Sequence, residues 1–461
     1  MSAHPTRSPA PGKHLCVIEK GQKPDHSCPK DAVTAEIGRQ IVFDAAVLDT
    51  FDVKGFQSLH YDLLVLCAAI EFADRRWKRP QSWSRTFDVV VPVIDLKIWQ
   101  RQDVTDSLQS ALRHLTCDNW RFTFVQAKNL SPVGSRQIPL DFGKTKTFAI
   151  AYSDGLDSQA VSALSGERDE ALCVRVTSSH QHRKNGDSYF TQIPFKVEGY
   201  QSNESSFRSR GFQFAAITAV AAHLSNVSRI VVPESGQGAL GPVLLPLHNI
   251  YADYRNHPTF FRKMERFINA ALGHRLQFKQ PRLWFTKGET LRAFLDLPGK
   301  TAGDLTSTRS CWQTRRVVNV GDRKQCGLCA ACLLRRLSLH AAGVDETPAT
   351  YVLWDLSGSD VNKALSIIPQ KADRDVMVKY GSVGVRHLQH LADMAELPDG
   401  ALRVHVSEIA AATGATNQET LKNLRTLLVT HAKEWRAFLS AQGEQSFLKS
   451  WMDGGRYGRS E

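Results

Sequence analysis

A chain of 461 residues with 42% apolar and 23% charged residues is globular in composition and too long for one ordinary core, so two or three domains are expected. No run of about 18 apolar residues occurs, which excludes a hydrophobic membrane-spanning helix, and the opening MSAHPTRSPAPGKH lacks the apolar segment of a secretory signal. The cytoplasm is therefore the expected location, with no membrane partner. The formal net charge of 58 − 46 = +12 suits a phosphate-bearing ligand, nucleic acid or an acidic partner. A solvated surface explains it as well, and without a dense basic run nucleic acid is not favoured.

Residues 1–40 are rich in Pro, Ser, Lys and His, show little periodicity and read as a mobile lead-in. Residues 41–145 read as an N-terminal α/β or α+β domain without a chemical motif. Its expected elements are a buried helix at 59–76, a strand at 86–94, an amphipathic helix at 104–115 and a strand at 120–126. From 146 the rhythm becomes strand–helix–strand: strands at 147–152, 171–177 and 228–233, with a helix through Val161 and Leu164 and a long helix at 206–224. That alternation predicts an α/β fold with a doubly wound parallel sheet, whose ligands gather at the carboxyl ends of its strands. Residues 346–461 read as a mainly helical C-terminal domain, clearest at 420–439. The run 407–428 allows a helix-turn-helix, although a helical cap or a partner surface is the simpler use.

The loop Ser153-Asp154-Gly155-Leu156-Asp157-Ser158 leaves an apolar strand and opens a helix. Free N–H groups at a helix start, with the helix dipole, make an anion site. Gly155 permits positive φ and close approach of a phosphate. Ser153 and Ser158 offer hydroxyls, and Asp157 suits either a magnesium ion or a helix cap. A plain strand-to-helix turn capped by Asp and Ser accounts for the same residues.

Nine cysteines divide into five scattered ones (Cys16, Cys28, Cys67, Cys117, Cys173) and a cluster of Cys311, Cys326, Cys329 and Cys332. An odd count in a chain without a secretory signal argues against a disulfide framework. Four thiolates at this spacing suit a closed, tetrahedral, structural Zn2+ site. Buried free thiols and an iron–sulfur cluster are the alternatives.

The hexapeptide at 153–158 resembles the PP-loop signature Ser-Gly-Gly-x-Asp-Ser of ATP pyrophosphatases, departing from it at Asp154, which replaces the first Gly. Asp tolerates left-handed backbone, but a carboxylate beside phosphates needs magnesium between them. Loop and cysteines, in this order, resemble the 7-cyano-7-deazaguanine synthase (QueC) family. Thr308-Arg309-Ser310-Cys311-Trp312 is similar to its Thr-x-Ser-Cys-aromatic segment, and Cys326-Gly327-Leu328-Cys329-Ala330-Ala331-Cys332-Leu333-Leu334-Arg335 to its Cys-Gly-x-Cys-x-x-Cys-Leu-x-Arg segment. Phe285-Thr286-Lys287-Gly288-Glu289 resembles its Lys-x-Glu segment, and Ser209-Arg210-Gly211 lies where the family has Arg-Asn. The resemblance covers roughly residues 146–345. The additional regions at both ends resemble the longer QueC-like proteins of bacterial anti-phage systems of the Qat type.

This resemblance implies ATP and Mg2+ as cofactors beside Zn2+, and a 7-carboxy-7-deazaguanine-type substrate adenylated at its carboxylate. An amide or nitrile would follow, or ligation to an amine on a partner protein of a defence operon. It implies that ATP is held by Tyr152, Ser153, Asp154, Gly155, Leu156, Asp157 and Ser158. Ser153, Asp157, Ser158, Arg210 and Lys287 are the candidate catalytic residues, with Arg208 beside them. Lesser candidates are His180, His182, the turn from Glu234 to Gly238, and Trp312, stacked on a base or packed over the cysteine knuckle. A tRNA-modifying PP-loop enzyme and an inactive nucleotide-binding scaffold are the competing functions.

Overall fold

The computed structural model describes residues 12–43, 57–130, 146–153, 155–177, 191–201, 203–246, 250–312, 324–368 and 371–452. Asp154, His180 and His182 lie outside the described residues. The strands are β1 (Lys13–Ile18), β2 (Val33–Glu36), β3 (Ile41–Phe43), β4 (Thr86–Val93), β5 (Asn119–Gln126), β6 (Phe148–Ala151), β7 (Ala171–Thr177), β8 (Thr191–Val197), β9 (Arg229–Val231) and β10 (Gln277–Lys279). The helices used below are α1 (Ser58–Arg76), α2 (Gln102–Thr116), α3 (Leu156–Ser165), α4 (Arg210–Leu224), α5 (Gly236–Leu244), α6 (Pro258–Leu272), α7 (Lys287–Leu295), α8 (Ala330–Ala341), α9 (Lys371–Asp393), α10 (Asp399–Thr413) and α11 (Asn417–Ala441). None of the helices among the described residues is long and apolar enough to cross a membrane.

The chain forms two compact units, which interleave along the sequence. The first comprises Met1–Tyr152, Glu167–Val232 and Pro246–Lys279; the second comprises Ser153–Gly166, Pro233–Leu245 and Gln280–Glu461.

Two sheets build the first unit. One is parallel throughout, in the order β2-β1-β4-β5. The other runs β10-β9-β6-β7-β8-β3, parallel except for β3, which pairs antiparallel with β8 at its edge. Helix α1 packs on β1 and β4 of the first sheet and on β3 and β8 of the second. Its central LLVLCAAI run is apolar on every side, which suits a helix buried all round. One continuous hydrophobic core results, from Leu15 and Val89 to Ile193 and Ile230. The expected separate N-terminal domain is therefore not observed: residues of 41–130 share that core. The expected lead-in likewise contains β1 and β2, with Leu15 and Cys16 fully buried. Their periodicity is too short to register, because β1 is central in its sheet and buries consecutive residues.

The buried charges at the centre of this unit are partnered, as burial requires. Asp62 accepts from Ile94 N (2.8 Å), Asp95 N (2.9 Å) and Trp99 Nε1 (3.0 Å). Arg85 lies 2.5 Å from Asp74 and 2.7 Å from Asp118, and Arg79 bridges the same two carboxylates. Cys16 and Cys28 form a disulfide, with Cα atoms 6.0 Å apart. This corrects the reading of the two as scattered thiols: the segment after β1 folds back and brings Cys28 to the strand.

In the six-stranded sheet the order reverses between β6 and β9. The chain winds from β6 through β7 to β8, then returns to lay β9 and β10 on the other side of β6. Open sheets of this kind bind ligands beyond the carboxyl ends of strands flanking the reversal. The three segments of the second unit follow β6, β9 and β10 in the chain.

The second unit is largely helical. Leu156 and Ala160 of α3 pack with Leu291 and Phe294 of α7 and Leu339 of α8. Leu240 and Leu244 of α5 pack with Leu402, Leu424 and Leu428 of α10 and α11. A third cluster gathers Leu333, Leu337, Tyr351, Val385, Trp435 and Phe438 around the buried cysteines. The helical C-terminal stretch is thus part of this unit. Gly414 ends α10 in left-handed geometry, and Thr416 caps α11 by accepting from Glu419 N. The apolar face of α11 is committed to the unit's core.

Candidate functional site

Tyr152 extends the β6 ladder by donating its N–H to Val174 O (2.8 Å). The chain then turns into α3. Ser153 N donates to Ser158 Oγ (3.0 Å), the two hydroxyls lie 2.8 Å apart, and Gly155 N donates to Ser153 Oγ (3.3 Å). The loop closes on its own serines. Gly155 occupies the N-cap of α3 with φ −86°, so the expected positive φ is not used. A side chain there would instead crowd Ser153 Oγ at 3.2 Å. The Leu156 side chain is buried in the core with Leu291 and Phe294, which leaves only its backbone N–H for a ligand.

Asp157 is held by groups distant in sequence. Its Oδ2 lies 2.5 Å from Lys287 Nζ, and its Oδ1 accepts from Ser235 Oγ at 3.0 Å. Glu234 Oε1 lies 3.9 Å from the same ammonium, and Ser235 Oγ lies 3.1 Å from Thr290 Oγ1. Burial opposes the charge on Lys287, but Asp157 and Glu234 outweigh it, and the lysine pKa rises above its ordinary value. The Glu234–Gly238 turn thus meets the loop through Ser235 and Asp157. Asp157 is thus an ion-pair partner of Lys287 and an acceptor for Ser235.

Lys287 stands in the first turn of α7, behind a capping box. Glu289 N donates to Thr286 Oγ1 (3.0 Å) and Thr286 N to Glu289 Oε2 (2.7 Å). Lys287 N donates to Gln237 Oε1 (2.6 Å), Gln237 Nε2 lies 3.0 Å from His431 Nδ1, and Thr286 Oγ1 donates to Glu434 Oε1 (2.9 Å). Sequence reading missed Thr286, Thr290, His431 and Glu434. For Thr286 alone a signal existed that could have found it: the Thr-x-x-Glu spacing to Glu289 is that of a capping box.

Burial, aided by His387, pushes the His431 imidazole down to about 4. An unfolded histidine titrates near ~6.5, so between these values the folded chain binds fewer protons. The stability that neutral His431 contributes is present above about pH 6.5 and is lost as pH falls toward about 4, on the order of 3 kcal/mol in all. Urea midpoints should therefore drop on acidification, and less steeply in His431→Gln. An identical slope in that variant would remove His431 as a cause.

Arg208 and Arg210 belong to the first unit. Arg208 lies 3.5 Å from Asp253 and over the Trp83 ring, so it is committed to local structure. Arg210 opens α4, exposed, over Phe214.

The four clustered cysteines converge, their sulfurs all within 4.8 Å of one another. Sulfurs ~2.3 Å from a tetrahedral zinc lie roughly 3.8 Å apart, and Cys326 Sγ and Cys332 Sγ are 3.7 Å apart. Cys326 N donates to Cys311 Sγ, and Leu328 N and Cys329 N donate to Cys326 Sγ, as they would to thiolates. The donor set fits a closed Zn2+ site. Gly327 has φ +85°, and a Cβ there would strike Leu353 O, so the knuckle requires glycine. Buried Arg335 donates to the carbonyls of Leu305, Thr306 and Thr308, which leads the chain to Cys311. Trp312 is 65% exposed.

The segment carrying α6, α7 and all four cysteines has a known counterpart. Residues 248–343 match the family model of the queuosine biosynthesis protein QueC. The match supports, for this segment, likeness to an ATP-using PP-loop family with amide- and nitrile-forming chemistry. It includes Lys287 and the cysteines, and does not extend to Ser153–Ser158, Arg210 or α11. No curated protein matches the chain.

Proposed function

We propose that this protein adenylates a carboxylate of the 7-carboxy-7-deazaguanine type with ATP and passes the acyl group to an amine. One observation carries the reading: the loop serines, 2.8 Å apart at a helix start, share a unit and an ion pair, Asp157–Lys287, with the QueC-like segment that supplies Lys287. ATP phosphates would lie on the N–H groups opening α3, with Ser153 and Ser158 as donors and Mg2+ offsetting the charge beside Asp154. Lys287 is poised to exchange one carboxylate for a phosphate oxygen.

The substrate carboxylate oxygen attacks the α-phosphorus, the bond to the bridging oxygen breaks, and pyrophosphate leaves. The amine nitrogen then attacks the acyl carbon, AMP leaves, and the nitrogen loses a proton. Ammonia gives the amide on the way to a nitrile; an amino group on a partner protein gives a conjugate. The additional regions favour a partner protein, in a setting like the Qat anti-phage systems, within the cytoplasm. Asp154 in place of glycine keeps an inactive nucleotide-binding scaffold as the second reading.

Pyrophosphate release should require ATP, magnesium and 7-carboxy-7-deazaguanine together. Ser158→Ala should lower it on the order of 10²-fold, as expected when one donor to a developing charge is removed. Binding of Mg·ATP without release, with or without partner proteins, would favour the scaffold.

A further inference from the structure

Helix α11 lies outside the segment that matches QueC, yet one face of it meets the candidate site three times. Leu427 comes so close to Gly236 that an added Cβ would lie 2.6 Å from its Cδ2. His431 lies against Gln237. Glu434 Oε1 would lie 2.5 Å from a Cβ on Gly288. Positions 427, 431 and 434 are spaced four and three apart, the spacing of one helix face. Both glycines are needed for close approach, not for unusual backbone.

The hydrogen bonds run in one direction. His431 Nε2 lies 2.9 Å from Leu388 O. A carbonyl only accepts, so Nε2 carries the proton. The buried imidazole is neutral, so Nδ1 accepts from Gln237 Nε2. That fixes the Gln237 amide with Oε1 toward Lys287 N, 2.6 Å away. Glu434 Oε1 meanwhile accepts from Thr286 Oγ1 (2.9 Å) and from Arg292 Nη2 (3.0 Å). Its second oxygen is buried without a hydrogen-bond partner. A carboxylate kept there at such a cost needs an explanation beyond packing.

We propose that His431 and Glu434 are positioning residues. Acting through Gln237 and Thr286, they fix the first turn of α7 and so hold Lys287 Nζ against Asp157. The inference takes from the proposed function only that this lysine belongs to the working site.

Acylation of Lys287 by acetic anhydride across a pH series, read by mass spectrometry against exposed Lys433, tests it. The groups facing the Lys287 ammonium are Asp157 and Glu234, with Arg335 opposing them. In Gln237→Met and in Glu434→Leu the pair loosens, and Lys287 should become about tenfold more reactive for each pKa unit it falls. Glu434→Gln keeps the acceptor for Thr286 and should stay near the wild type. Leu439→Ala weakens the same helix in the core around the cysteines, which includes neither His431 nor Glu434, and should leave Lys287 unchanged. Unchanged reactivity in both loosening variants, with melting curves showing them folded, overturns the proposal. So does an equal rise in Leu439→Ala. No nucleotide is needed, so failure of the wild type to bind Mg·ATP would remove the adenylation reading and leave this result standing.

Discussion

Stripping the metal from Cys311, Cys326, Cys329 and Cys332 should unfold much of the second unit. Structural zinc is worth on the order of 10 kcal/mol in small modules, comparable to the whole stability of a typical domain. Here the sulfurs lie at the centre of a core that holds Leu333, Leu337, Tyr351, Trp435 and Phe438. Without the ion, buried thiols would replace four ligands on one charge. The purified protein should contain one equivalent of zinc and show no visible absorption. A chelator, or Cys332→Ser, should release α8, α9 and α11 to rapid amide exchange and lower the melting temperature sharply. Unchanged exchange in those helices after verified metal loss would show that packing alone sustains the unit. Visible absorption with bound iron would replace zinc by a cluster.

Lys287→Met should be both destabilising and inactive, and the two effects should come apart. Removing one member of a buried pair leaves the other charged and desolvated, which costs about 3–5 kcal/mol. Asp157 and Glu234 would face each other across the gap, with the Ser235 hydroxyl still donating to Asp157. Pairing Lys287→Met with Asp157→Leu removes the orphaned charge and should restore most of the stability. Pyrophosphate release should not return, because no cation remains to meet the phosphates. Recovery of both in the double variant would make the pair structural, and would move the site elsewhere.

Local sequence determined a good deal of this protein. Short-range periodicity placed α1, α2, α4, β4, β5 and β7 close to their observed bounds, because each buries a face set by its own residues. Four cysteines at zinc-ligand spacing announced their centre, and α7 carried its cap in Thr286 and Glu289. What the sequence left open depends on contacts far apart in the chain. Lead-in and N-terminal domain share one core with the sheet from 146 onward because α1 packs on both sheets, and no local pattern reports such a neighbour. Cys16 pairs with Cys28 through the path of the chain between them. Asp157 meets Lys287, and Gln237 meets His431, only because segments following β6, β9 and β10 join one unit with α11. Charge pairing and hydrogen bonding act over a few ångströms, and only the tertiary structure decides which residues come within that reach.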